Sequence, residues 1–278
     1  MDVSYSRGIY INKVLSKYPF LSMKGVCIMT FSKDNLIASS ELVDIYRDGD
    51  ICIKLFKEGV RKTNPLYEAL THSRVEDTGL RVPVIHELSV IDGRWAIHMD
   101  LIEGETLADL MKEHPENMDQ YLNDFVDIQL EIHSKQVPKL SKLKDKMSRQ
   151  INSLTEIDDV KKYELLTRLE SMPKHTKLCH GNFTPENVIY NEKGIYVIDW
   201  IAARQGNASA DVGRTYLLLS LRWPEIADKY LNLFCEKTKT SKKYVQQWLP
   251  IVAAAHLPDA KPEEHDFLMK WVDVVEYE

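Results

Sequence analysis

The chain has 278 residues, enough for one large domain or two small lobes with a sizeable core. Apolar residues make up 44% and charged residues 28%, the balance of a globular protein and not of a disordered one. Lys and Arg number 36 against 42 Asp and Glu, a net charge of −6, which argues against a nucleic-acid binder with a general basic surface but leaves room for a local basic pocket around one phosphorylated ligand.

In chain order, Met1 to Arg7 lack the charged and then apolar regions of a signal peptide. Val43–Tyr46 and Ile51–Phe56 flank Arg47-Asp48-Gly49-Asp50, and Asp-Gly between β-rich runs predicts a hairpin. A helix follows, with Asn64 as its cap, Pro65 in its first turn and Gly79 at its end. Val82–Val90 and Trp95–Leu101 flank Asp92-Gly93, a second hairpin, and Trp95, Ile97, Met99 and Leu101 alternate with polar or small residues as a strand does. The chain changes character at Gly104. Thr106 with Asp109 three residues on marks a helix start. Met118, Leu122, Phe125, Ile128 and Ile132 keep helical spacing, as do runs within 159–171, 211–221, 225–236 and 242–254. One strand-rich island interrupts them, at Lys177–Cys179, Val188–Tyr190 and Ile195–Ile198.

These elements predict an α+β fold in two lobes: residues 1–103 as a small antiparallel sheet with one helix, and 104–278 as a larger, mainly helical lobe. A cleft between the lobes is the expected ligand site. The apolar runs fall short of the roughly 20 residues of a membrane helix, since Leu249–Leu257 is short and interrupted by His256. Cys27, Cys52, Cys179 and Cys235 are scattered and form no C-x-x-C pair, so they read as free thiols of a cytoplasmic protein, with neither a disulfide frame nor a zinc site expected.

The island reads Leu178-Cys179-His180-Gly181-Asn182-Phe183-Thr184-Pro185-Glu186-Asn187-Val188, then Val197-Ile198-Asp199-Trp200. It resembles the aminoglycoside phosphotransferase and choline kinase family, relatives of the protein kinases, whose loop H-G-D-x-x-x-x-N precedes a strand ending in I-D-W or I-D-F. Asp211 in Ala210-Asp211-Val212-Gly213 matches a further family Asp, and the resemblance extends from about Leu36 to the C-terminal helices. It implies a bilobal kinase-like fold that passes the terminal phosphoryl group of ATP or GTP to a hydroxyl of a small molecule. Asn187 and Asp199 match the family's Mg²⁺ ligands, and His180 and Asp211 match residues that brace the loop. Lys54, a lone cation in an apolar strand, matches the phosphate-binding lysine. Glu68 is its expected partner and Glu76 the alternative. Asp100 and Ile102 match hinge positions whose backbone groups bind the base. No nucleic-acid or membrane partner is expected.

Two departures stand out. Ile37-Ala38-Ser39-Ser40-Glu41 has no glycine where relatives often place one over the phosphates, so the hydroxyls of Ser39 and Ser40 are the expected donors. Asn182 stands where the family has its catalytic Asp. An amide orients a hydroxyl but carries no proton away, and general-base assistance is worth ~10²–10⁴-fold. Three readings stay open: a slow or re-purposed kinase, a nucleotide-binding pseudokinase with an interaction or regulatory role, and an engineered inactive variant. Glu186 is a candidate substitute base. Acidic residues near the chain end (Glu263, Glu264, Asp266, Asp273, Glu276, Glu278) and the indoles of Trp200, Trp223, Trp248 and Trp271 are candidate acceptor contacts, with the solvated face of the last helix and the core as the alternatives. The acceptor is therefore a small hydroxylated metabolite or antibiotic, not further specified.

Overall fold

The computed structural model of the chain describes residues 33–273. Expectations for Met1–Arg7, Cys27, Glu276 and Glu278 lie outside the described residues. The first lobe is a five-stranded antiparallel sheet of β1 (Leu36–Ser39), β2 (Val43–Asp48), β3 (Ile51–Phe56), β4 (Ile85–Ile91) and β5 (Arg94–Asp100), in spatial order β1-β2-β3-β5-β4. Both expected hairpins close on two-residue turns, with Asp48 opposite Ile51 and Ile91 opposite Arg94. The second turn holds φ 48° at Asp92 and 80° at Gly93, the left-handed pair that Asp-Gly tolerates and β-branched residues do not.

Helix α1 (Thr63–Glu76) packs beside this sheet with Glu68, Thr71, His72 and Val75 buried. Asn64 does not cap it. The helix begins one residue earlier, the cap position is Lys62, and no side chain bonds the free N–H groups there. Pro65 sits in the first turn, and Gly79 follows the end at φ 75°.

The chain leaves β5 through Leu101–Gly104 and pairs as β6 (Glu105–Thr106) with the island. A Cβ at Gly104 would collide with the Tyr190 carbonyl, so this close crossing requires glycine. Thr106 then caps α2 (Leu107–Glu113), its Oγ1 accepting the Asp109 N–H at 3.1 Å.

Helices α3 (Met118–Ser134), α4 (Leu143–Ser153) and α5 (Asp159–Ser171) follow. Next come β7 (Lys177–Cys179), β8 (Val188–Asn191), β9 (Gly194–Val197) and β10 (Arg204–Gly206). The second lobe ends with α6 (Ala208–Arg222), α7 (Pro224–Thr238), α8 (Lys242–Gln246), α9 (Leu249–His256) and α10 (Pro262–Val272). The expected run 242–254 is two helices, because Pro250 lacks the N–H to continue α8 but suits the first turn of α9.

Two apolar clusters fill the large lobe. One joins α3, α7 and the island, and Phe125 stacks on Phe183 with ring centroids 4.3 Å apart. The other joins α4, α5, α9 and α10. Cys52, Cys179 and Cys235 carry free thiols, and no helix among the described residues is long and apolar enough to cross a membrane.

Candidate active site

Between β7 and β8 the chain makes a loop whose shape is set by buried polar contacts. Asp211, in the first turn of α6, is 2% exposed. Its Oδ1 accepts the Gly181 N–H at 2.7 Å, and its Oδ2 accepts the His180 N–H at 3.1 Å and His133 Nε2–H at 3.0 Å. Burial alone would raise the pKa of this carboxyl, but the His133 bond and charge and the Gly181 bond outweigh it, so its pKa lies below the ordinary value. His180 is fully buried against Trp200, at a centroid distance of 4.4 Å. Its Nδ1 accepts the Asn182 N–H at 3.2 Å, so Nε2 carries the hydrogen and donates to Ile198 O at 3.0 Å. Burial lowers the imidazole pKa and favours this neutral form. Gly181 has φ 80°, and an added Cβ would lie 2.6 Å from the Ala202 carbonyl, so this position admits only glycine without rearrangement.

The loop holds two amides, Asn182 and Asn187, and the carboxylate of Asp199, just past β9, meets the first of them. Asn187 Nδ2 donates to the Asn182 carbonyl at 2.9 Å, which commits its amide hydrogen and leaves its Oδ1 to accept. Asn182 Nδ2 donates to Asp199 Oδ2 at 3.2 Å, leaving the Asn182 Oδ1 as an acceptor. Asp199 adopts left-handed backbone at φ 63°, ψ 59°, the kind of strained non-glycine conformation that clusters at functional sites. Its Oδ1 lies 4.0 Å from Lys54 Nζ. Lys54 is ion-paired to Glu68 of α1. Burial alone would lower the Lys54 pKa, but Glu68 and Asp199 together hold it above its ordinary value, so the ammonium stays charged. Glu68, and not Glu76, is the partner; Glu76 Oε1 accepts the Ile85 N–H at 3.1 Å.

The arrangement suits Mg²⁺. No set of three His, Cys, Asp or Glu side chains converges among the described residues, so an all-protein cage is not on offer. One carboxylate beside one outward amide oxygen is what a cation that keeps its water and takes phosphate oxygens needs.

Other expected residues are engaged differently. The Ser39 hydroxyl donates to Asp44 Oδ1 at 2.6 Å, and the Ser40 hydroxyl donates to Val43 O at 3.2 Å. Both hydroxyl hydrogens are therefore spent within the β1–β2 turn, and so are the Ser40, Leu42 and Val43 N–H groups, which bond Val43 O and the Ser40 hydroxyl. The Asp100 carboxylate accepts the Val84 N–H at 3.0 Å and meets His86 Nε2 at 2.7 Å, while its own N–H bonds Val84 O. The Asp100 carbonyl and Ile102, half-buried in the interlobe segment, are what remains for a base. Glu186 Oε1 accepts from Trp223 Nε1 at 3.3 Å, while its buried Oε2 has no hydrogen-bond partner. Glu264 is buried at the start of α10, where its Oε2 accepts the Lys261 N–H at 3.3 Å. Trp200 and Trp248 are core residues.

Sequence reasoning missed a basic cluster on the flank of this loop. A small pocket of about 30 Å³ is lined by Gly181, Asp211, Lys146, Arg214, His256 and Asp259, among others. Its residues come from α4, α6, α9 and the turn after α9, far apart in sequence and with no motif to join them. Arg214 Nε donates to the Gly181 carbonyl at 2.7 Å, and burial lowers its pKa to about 10. Burial, then Arg204 and Arg214, lower the Lys146 pKa to about 8. Burial, then Arg214 and Lys146, lower the His256 pKa to about 3.

A pH effect follows from His256. The folded chain keeps it neutral where the unfolded chain, with an ordinary value of 6.5, takes up a proton. Its contribution is therefore full above pH 6.5 and is lost as pH falls toward about 3, with a slope of about 1.4 kcal/mol per pH unit. Urea unfolding at pH 7 and pH 5 should show a smaller loss for His256→Gln than for the parent, by about 2 kcal/mol. Equal losses in the two proteins would mean that His256 is not held neutral.

Comparisons with known proteins bear on the family and the fold. The profile of the phosphotransferase enzyme family (APH) matches residues 54–245. No curated protein matches the chain. A thermostable mutant of aminoglycoside phosphotransferase APH(4)-Ia, solved as a ternary complex with AMP-PNP and hygromycin B, aligns with TM-score 0.66 at 14% identity over 95% of this chain and 96% of that one. A GDP complex of a mutant aminoglycoside 2'-phosphotransferase-IIIa aligns with TM-score 0.56 at 15% identity over 96% and 95%. Amicoumacin kinase hAmiN, with AMP-PNP, Ca²⁺ and Ami, aligns with TM-score 0.59 at 13% identity over 96% and 92%. The match to the family profile runs from Lys54 of β3 through the loop between β7 and β8 to α8, and on that match, joined to a kinase-like fold, this chain belongs to the phosphotransferase enzyme family.

Proposed function

We propose that this chain is an ATP- or GTP-dependent phosphotransferase acting on a hydroxyl of a small molecule. Residues 1–103 would be its nucleotide-binding lobe and 104–278 its catalytic and substrate-binding lobe. The observation that carries the reading is a chain of contacts from Glu68 through Lys54 and Asp199 to Asn182, with Asn187 bonded to the Asn182 carbonyl. Structural neighbours holding AMP-PNP and GDP support a nucleotide donor and leave ATP and GTP both open. The free thiols support a reducing, cytoplasmic setting.

Lys54, fixed by Glu68, neutralises phosphate charge. Backbone groups at Asp100 and Ile102 receive the base, and the Ser39–Ser40 turn covers the phosphates. Asn187 and Asp199 would hold Mg²⁺, which when bound screens the charge that builds on the phosphate oxygens. Asp211 and His180 brace the loop. Asn182 Oδ1 accepts the acceptor's O–H hydrogen and points its oxygen at the terminal phosphorus. The new O–P bond forms as the bond to the bridging oxygen breaks, the nucleoside diphosphate leaves with that electron pair, and the proton passes to a phosphate oxygen or to water. The nucleophile's proton leaves late in a loose transition state, so a chain without a carboxylate here turns over slowly.

Asp199→Ala tests the metal pair. Mg²⁺-dependent stabilisation by nucleotide should disappear while the fold persists, read by thermal shift with and without Mg²⁺. If the variant keeps the parent's Mg-ATP shift, the assigned site is wrong. Lys54→Met keeps the aliphatic stem and should weaken nucleotide binding about tenfold or more; it also leaves the buried Glu68 without its cation, so stability should fall, and Lys54→Met with Glu68→Gln should regain stability without regaining affinity. A large loss of stability with unchanged affinity would make Lys54 a structural residue.

Asn182 also favours a second reading, a pseudokinase that binds nucleotide in an interaction or regulatory role. Phosphate-transfer assays across hydroxylated acceptors separate the two.

A further inference from the structure

The overall charge of −6 hides a cationic pocket beside the catalytic loop. Asp211, in its lining, is already neutralised by His133 and two backbone N–H groups. Asp259 is the remaining lining carboxylate; its Oδ2 accepts from Gln150 Nε2 at 2.7 Å and lies 4.0 Å from Lys146 Nζ. Arg149, Arg204 and Arg222 add their charge to Lys146 and Arg214, while Glu264 is engaged by Arg222 and the start of α10. Lys146 and Arg214 thus share the lining with Asp211 and Asp259, while Arg149, Arg204 and Arg222 behind it add positive charge that Glu264 offsets only in part, so the field at Lys146 and His256 is net positive.

A second observation is independent of charge. His256 is 7% exposed; neither ring nitrogen makes a hydrogen bond, although Nε2 lies 3.5 Å from Glu264 Oε2, leaving Nδ1 with no partner at all. Arg204, 8% exposed, has an unpaired Nε. Buried polar atoms are nearly always paired, so orphans in and behind a pocket wall point to a partner that enters the pocket.

We propose that the acceptor carries a small oxyanion, a phosphate ester or a carboxylate, which docks on Lys146 and Arg214 with His256 as a further hydrogen-bond partner. This deepens the phosphotransferase reading and rests on it. Arg214 Nε donates to Gly181 O at 2.7 Å, so an anion on Arg214 is tied to the residue before Asn182, which brings the acceptor's hydroxyl end to the loop. The same field repels a polycationic antibiotic. A patch that would discriminate in this way is the opposite of an acidic antibiotic-binding wall.

The test uses the full chain saturated with Mg-AMP-PNP. Inorganic phosphate, malonate and hygromycin B are titrated in separately, and the melting temperature is followed. Phosphate or malonate should raise the melting temperature of the parent, and which of the two does so distinguishes a phosphate ester from a carboxylate. Lys146→Glu should weaken that binding about tenfold or more, with Lys146→Met intermediate, while the Mg-AMP-PNP shift stays at the parent's value. The proposal is overturned if neither anion raises the melting temperature, if the Lys146 variants bind the anion as the parent does, or if hygromycin B binds in their place. An anion shift that depends on Lys146, in a chain that Mg-AMP-PNP does not stabilise, would keep the oxyanion pocket and remove the phosphotransferase reading instead.

Discussion

Asn182→Asp is expected to transfer phosphate about 10²–10⁴-fold faster than the parent chain, because it supplies a proton acceptor at the position where the acceptor hydroxyl is oriented. The two side chains have nearly the same shape, so the loop should hold. The structure adds a cost. Asn182 Nδ2 now donates to Asp199 Oδ2 at 3.2 Å, and the substitution replaces that bond with two facing carboxylates. Without metal the variant should therefore melt below the parent, and Mg-ATP should stabilise it by more than it stabilises the parent. Steady-state rates with and without Mg²⁺, beside thermal shifts, read both effects. If the parent already turns over at an ordinary kinase rate and the variant is no faster, Asn182 is not the base position. If both bind Mg-ATP and neither transfers phosphate to any acceptor, the pseudokinase reading stands.

Asp211→Ala should be the most destabilising single change in the site, by about 3–5 kcal/mol, because it orphans three buried donors, two of them backbone N–H groups. The three lost contacts come from Gly181, His180 and His133. Asp211→Asn keeps the volume and some acceptor capacity, so it should cost less and fold. Nucleotide stabilisation of the Asn variant should still fall, since the loop that carries Asn182 and Asn187 loses its brace. Urea unfolding and thermal shift measure the two together. An Asp211→Ala protein as stable as the parent, with an intact Mg-ATP shift, would remove Asp211 from the account.

Much of the site was legible because its residues are close in sequence and each is dictated by a local requirement. His180-Gly181 needs a left-handed turn, Asn187 follows five residues past Asn182, and Asp199 ends a strand. The hairpins were legible from Asp-Gly. The Asn64 cap was not, because any polar residue before Pro65 satisfies the pattern, and the helix entered from Lys62 instead. Helix α4 escaped notice because only Leu143, Met147 and Ile151 mark its buried face among mostly polar and charged residues. The Ser39 and Ser40 hydroxyls illustrate another limit: residue type named plausible donors, but local bonds to Asp44 and Val43 use them first. The cationic pocket was illegible for a different reason. Its members lie on separate helices, and a net negative composition gives no hint of where cations gather.

The central claim is that this chain moves a phosphoryl group to a small hydroxylated molecule. The most direct measurement incubates the parent and Asn182→Asp proteins with Mg-ATP or Mg-GTP and a broad panel of small hydroxylated acceptors, and follows phosphorylated products by mass spectrometry. The account predicts an acceptor that gains one phosphoryl group with stoichiometric nucleoside diphosphate, more rapidly with Asn182→Asp. Both proteins stabilised by Mg-nucleotide, with no acceptor phosphorylated by either, would contradict it.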